Sequence, residues 1–191
     1  MGSYYYLVAQ LPALSYAAPA PMGSGEFREL CVGLMSPDDS ALLGRCVLSS
    51  APDAVAELSG SALIDSWLAW ERALRLHLAK ARAVRLKRDA SQLPEAPADP
   101  LDAAALAKNV LAIESPLEAE QALDRARWTA IESFQGFDYF GRDTAYAYLL
   151  KLLILERKAL FRVDEGFAEY KAIYASVMEA APTSIASGEP K

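Results

Sequence analysis

Residues 62–88 read ALIDSWLAWERALRLHLAKARAVRLKR, and this stretch decides the fold class. Leu63, Trp67, Trp70, Leu74, His77, Ala81 and Val84 recur at alternating spacings of four and three, the period of a helix with one apolar seam. At 1.5 Å per residue, a helix over 62–88 is about 40 Å long. The preferred reading of the seam is a core stripe in an antiparallel bundle; a coiled-coil seam is the alternative.

Further helices are predicted on both sides. Toward the N-terminus, Ser36-Pro37-Asp38-Asp39 places a hydroxyl at N-cap, proline at the first helical position and carboxylates in the first turn, so a helix is expected from there to about Leu48. Leu11 to Gly25, with Pro12, Pro19, Pro21, Gly23 and Gly25, reads as an extended connection, and Tyr4 to Val8 as strand or helix. Toward the C-terminus, Asp89 to Pro100 carries Pro94, Pro97 and Pro100 and ends the long helix. Ser115-Pro116-Leu117-Glu118 is a capping box opening a helix to about Phe134. Arg142 to Phe161 is apolar on every face, the mark of a central helix. Asp164 is a cap for a helix over Glu165 to Glu179, and Thr183 to Lys191 reads as frayed. The expected fold is all-α: antiparallel helices in one elongated domain or two packed lobes, divided as 1–88, a Pro-rich loop 89–100, 101–181 and a disordered tail 182–191.

Composition narrows the function. With 53% apolar and 23% charged residues the chain can bury a sizeable core. The net charge of −6 is unevenly spread: residues 62–90 carry 7 basic and 3 acidic groups, whereas both flanks are acidic, so the middle segment alone is basic. Cys31 and Cys46, 15 positions apart, fit no zinc or redox spacing and read as packing residues. The only histidine, His77, lies among leucines of the long helix, which leaves no base for a hydrolytic triad. Gly23-Ser24-Gly25 lacks the lysine and spacing of a phosphate loop. An enzyme using carboxylates alone would leave no such spacing signal. Neither a catalytic group nor a metal or cofactor site is therefore assigned. Met1 to Leu11 lacks the basic flank and long apolar run of a signal peptide, and Thr144 to Leu155, interrupted by Lys151, falls short of the ~20 residues of a membrane span, so a cytosolic chain is expected.

Two stretches are candidate partner-binding surfaces. Arg72, Arg75, Lys80, Arg82, Arg85, Lys87 and Arg88 follow one another without an intervening acid, but at 100° per residue they scatter around the helix. A solvated helix or an acidic protein partner is preferred over nucleic acid. The second stretch, Phe134-Gln135-Gly136-Phe137-Asp138-Tyr139-Phe140-Gly141, joins two helices. Its aromatics are expected to plug the bundle end; exposed, Phe137, Tyr139 and Phe140 would be a partner site.

Several stretches together resemble an uncharacterised bacterial family encoded beside V/A-type ATP synthase subunits. They are Tyr4-Tyr5-Tyr6-Leu7-Val8-Ala9-Gln10-Leu11-Pro12; Trp67 to Ala83 with the order W-x-x-x-E-x-x-L-R-x-x-L-x-x-x-R-A; Ser115 to Glu120 leading to Arg127-Trp128; and Tyr148 to Leu152 leading to Glu156-Arg157 and Gly166. The resemblance implies a non-catalytic subunit or assembly factor of a V/A-type ATPase, an ATP-driven proton or sodium pump. It further implies a likeness to the C (eukaryotic d) subunit, an all-helical adaptor seating the central stalk on the proteolipid ring, although C subunits are longer, with three related lobes. Stalk or ring subunits would be the partners, and the chain would sit peripherally on the inner face of the cell membrane. The alternative is a free-standing helical adaptor that binds an acidic protein or nucleic acid through residues 72–88.

Overall fold

The structure is a computed structural model that describes residues 4–49, 58–91, 93–97, 101–161 and 173–174. Among these residues it holds seven α-helices, one 3-10 turn and no strand, so the chain is all-α. The helices are α1 (Tyr5–Gln10), α2 (Ser24–Leu34), α3 (Pro37–Leu42, followed by the 3-10 turn Leu43–Arg45), α4 (Ala62–Arg85), α5 (Ala103–Leu111), α6 (Pro116–Gln135) and α7 (Arg142–Ala159). Tyr4 to Val8, open between strand and helix in the sequence, contributes to α1.

The chain falls into two units, Met1–Lys158 and Ala159–Lys191. The described residues of the second are 159–161 and the helical pair Ile173 and Tyr174; the remainder of the helix expected over Glu165 to Glu179, and the tail 182–191, lie outside the described residues. Both sides of the loop 89–100 belong to the first unit. Nine-residue α5 cannot build a core of its own; its small buried face, Ala103, Ala107 and Val110, packs on α4, and α6 packs on both. Residues from Leu7 to Leu155 thus enter one apolar core.

The helix starts are built as their caps require. Ser36 Oγ accepts from Asp39 N at 3.2 Å, Ser61 Oγ from Ile64 N at 3.2 Å and Ser115 Oγ from Glu118 N at 3.3 Å, each satisfying a donor left open in a first turn. Three helices stop earlier than expected, and the last, α7, ends at Ala159 with Leu160 and Phe161 exposed past its end. At α3, Gly44 weakens helical preference and the 3-10 turn replaces the run to Leu48. At α4, Lys87 takes a left-handed backbone (φ 53°) that closes the helix at Arg85.

Along α4 the seam is buried at Leu63, Trp67, Trp70 and Leu74, and Leu78 joins them. Trp67 Nε1 donates to the Val47 carbonyl oxygen at 2.8 Å, so this large side chain is both packed and satisfied. After Leu74 the seam itself leaves the core: His77 and Ala81 are half-buried and Val84 is exposed. Helix α7 has the central place its composition implies, with buried residues on all sides from Ala145 to Leu155. It runs antiparallel to α6, as the pairs Gln135–Thr144, Glu132–Lys151 and Asp124–Arg157 show. Its Glu156 carboxylate accepts from Ser24 N at 2.6 Å and Ser24 Oγ at 2.8 Å, capping the first turn of α2.

Candidate partner-binding site

The turn between α6 and α7 begins at Gly136, whose backbone (φ 66°, ψ −147°) lies in a region that is essentially glycine-only. The chain then turns on its own polar groups: Asp138 Oδ1 accepts from Phe140 N at 3.1 Å, and Thr144 Oγ1 donates to the Asp138 carbonyl oxygen at 2.7 Å. Only Phe134, still within α6, packs against the core. Phe137 is 93% exposed and Tyr139 58%, with Phe140 partly exposed. The expectation that these aromatics plug the bundle end is therefore corrected. Gly136 turns the chain away from the core, and Asp138 spends its carboxylate inside the turn, so the aromatics face water.

The N-terminal tyrosines meet this turn. Tyr4 N donates to the Phe140 carbonyl oxygen at 2.7 Å, and the Tyr5 and Phe140 rings lie 4.9 Å apart. Tyr5 and Tyr6 are themselves exposed, which widens the aromatic surface. Beside it is a cleft of about 400 Å³ walled by the turn and the N-terminal ends of α3, α4 and α7, with Asp39, Asp138, Arg142 and Asp143 in its lining. Arg142 Nη1 donates to Asp39 Oδ1 at 3.0 Å and also reaches the Gly60 carbonyl oxygen. Ser61 Oγ donates to Asp143 Oδ1 at 2.7 Å, and Tyr146 Oη to the Asp39 carbonyl oxygen at 2.9 Å. Burial by itself pushes the Asp39 carboxyl up, but hydrogen bonds from Tyr4, Arg142 and Ser36 outweigh it and hold the group below the usual aspartate range. Burial, and then the Asp39 charge, push the Tyr146 phenol well above its ordinary value. Asp39 is therefore ionised and Tyr146 protonated at neutral pH. Sequence reasoning missed this cluster because its members lie on elements far apart in the chain.

The basic candidates divide. Arg75 Nε is 3.2 Å from Glu71 Oε1 and its guanidinium also bonds the Ser49 hydroxyl; Arg72, like Arg75, is half-buried. Arg85 Nη1 donates to the Leu111 carbonyl oxygen at 3.4 Å. Arg82 and Arg88 are exposed, together with Lys87 and the aliphatic Val84 and Leu86. The structure does not bring this group to the aromatic turn: the cleft lies at the start of α4, and the 24 residues of that helix carry the basic end about 36 Å away.

No family model, curated protein or solved structure matches the chain. The motif residues that carry the resemblance nevertheless have a physical role. Arg127 makes a two-pronged contact with Glu71, Nε to Oε2 at 3.2 Å and Nη2 to Oε1 at 3.1 Å, and its Nη1 donates to Asp124 Oδ1 at 2.9 Å. Arg157 Nη1 lies 3.4 Å from the same Asp124 oxygen, and its other terminal nitrogen bonds Glu120. Burial disfavours the Arg127 cation, yet the Glu71 and Asp124 carboxylates more than offset this and raise its pKa above the ordinary arginine value. This chain of charges ties α4, α6 and α7 together beneath the surface.

Both cysteines are fully buried, and burial pushes the Cys31 thiol up to about 11 and the Cys46 thiol up to about 12. Neither is a thiolate near neutral pH. Among the described residues no helix is long and apolar enough to cross a membrane, and none of their His, Cys, Asp and Glu side chains are grouped in threes as a metal would need.

Proposed function

We propose that this chain is a non-catalytic protein-binding component, a subunit or assembly factor of a bacterial V/A-type ATPase, that docks through the turn 136–141. The observation that carries the reading is the exposure of Phe137 and Tyr139 on a turn whose backbone is fixed by Gly136 and Asp138. Aromatic rings, with only two rotatable side-chain bonds each, lose little entropy on docking and are frequent anchors at protein interfaces. The ATPase assignment is supported by the resemblance of the Tyr4, Trp67, Ser115 and Tyr148 stretches. Its partners would be central-stalk or proteolipid-ring subunits, and its place the inner face of the membrane through them. Tagged protein purified from its native cells should retrieve such subunits; recovery of the chain without any ATPase subunit, from cells expressing the complex, would contradict the reading.

A second reading, a free-standing adaptor for an acidic protein or nucleic acid, is favoured by the exposed Arg82, Lys87 and Arg88. Salt-sensitive retention on a polyanion column, lost in an Arg82→Glu/Arg88→Glu variant, would support it.

A further inference from the structure

The proposed docking surface also has a charge, and the charge specifies what fits it. The turn bearing Phe137 and Tyr139 is one wall of the cleft, whose lining carries three carboxylates, Asp39, Asp138 and Asp143, against one guanidinium, Arg142. That guanidinium is already engaged by Asp39 and by the Gly60 carbonyl oxygen. Asp138 and Asp143 each use Oδ1 within the protein, for Phe140 N and Ser61 Oγ. Helix α6 adds the negative end of its dipole at Gly136, with no basic residue in its last turn, while the positive ends of α3, α4 and α7 are met by Asp39 and Asp143, so Asp138 is the carboxylate left to a ligand. The aromatic faces themselves favour cations over anions.

Resting on the reading that this turn is a partner site, we propose that it docks a basic segment of another protein, whose arginine or lysine side chains enter the Asp138–Asp143 cleft while its apolar positions cover Phe137 and Tyr139. An acidic segment is repelled at the cleft. A second copy of this chain would offer its own basic end, Arg82 to Arg88, in a head-to-tail or reciprocal contact, which would show as self-association of the full-length protein.

The test is selection of a random peptide display library on the full-length protein, with depletion on a Phe137→Ala/Tyr139→Ala variant, followed by anisotropy titration of the enriched peptides. Both side chains are exposed, so the variant should keep its circular dichroism and melting temperature, and Asp138→Asn serves as a separate charge probe. Enriched peptides should carry arginine or lysine, and should weaken by about 30-fold on the aromatic variant, the loss that follows removal of a central anchor. They should also weaken on Asp138→Asn and as salt is raised. Enrichment of acidic or uncharged peptides, no enrichment, binding indifferent to both variants, or self-association abolished by the aromatic variant would overturn the proposal. If ATPase subunits are retrieved through the turn while the selected peptides are not basic, this inference fails and the functional reading stands; if no subunit is retrieved, the functional reading fails by itself.

Discussion

The two ends of α4 carry opposite charges and are built in opposite ways. At its start, Ser61, Arg142, Asp143 and Asp39 are tied to one another across elements up to about a hundred residues apart in sequence, and the turn that bears the exposed aromatics lines the same cleft through Asp138 and Gly141. At its end, Arg82, Lys87 and Arg88 stand in water with Val84 and Leu86 and no aromatic neighbour in sequence. Acids at a helix start and bases at its end both complement the macrodipole. They differ in order: groups fixed before binding lose little entropy on docking, whereas long solvated side chains act chiefly by steering encounter. The first end suits anchoring, the second attraction.

That contrast needs α4 to be a rigid strut, and the largest effects come from breaking it. Trp67→Ala removes a fully buried ring and its bond to Val47, and should cost about 3–5 kcal/mol in urea unfolding. Unchanged unfolding would mean the seam is not a core. Arg127→Met leaves buried Glu71 with Arg75 alone and buried Asp124 with Arg157 alone. A loss of about 3–5 kcal/mol is expected, with a double replacement of Arg127 and Glu71 by apolar residues recovering part of it.

Smaller changes bear on one end alone. Gly136→Ala places a Cβ at φ 66° and should cost about 1–3 kcal/mol by thermal melting while misplacing the aromatics. The Asp39 carboxyl sits below its unfolded value. Its contribution is complete above about pH 4, the ordinary aspartate pKa, and is lost as pH falls through the lower folded value. Asp39→Asn should therefore flatten the acid limb of the stability profile below about pH 4. At the other end, Arg82→Glu/Arg88→Glu should cost only about 1 kcal/mol, since both side chains are exposed and the loss is that of placing acids at a helix C-terminus.

Local signals were legible in sequence where a cap, a proline or a seam wrote them. The starts of α3 and α6, the burial of Trp67 and Trp70 and the central place of α7 follow from such patterns. Helix α2 has no side-chain cap of its own, because Glu156 of α7 supplies the acceptor from 132 residues away. Helix α5 starts from Asp102 in a left-handed conformation, an unusual N-cap backbone, and has too few residues for a clear period. The exposure of Phe137, as against a plug, turned on the backbone of Gly136, which the sequence permits without dictating. The Asp39–Arg142–Asp143 cluster is long-range throughout and left no spacing to read.

The most direct test of the account compares the two ends in one experiment: retrieval of V/A-type ATPase subunits from native membranes by wild type, Phe137→Ala/Tyr139→Ala and Arg82→Glu/Arg88→Glu chains at low and high salt. The aromatic variant should lose retrieval at both salt concentrations with its fold intact, while the charge variant should lose only the part that salt removes from wild type. Retrieval by the aromatic variant at the wild-type level would contradict the anchoring role assigned to the turn.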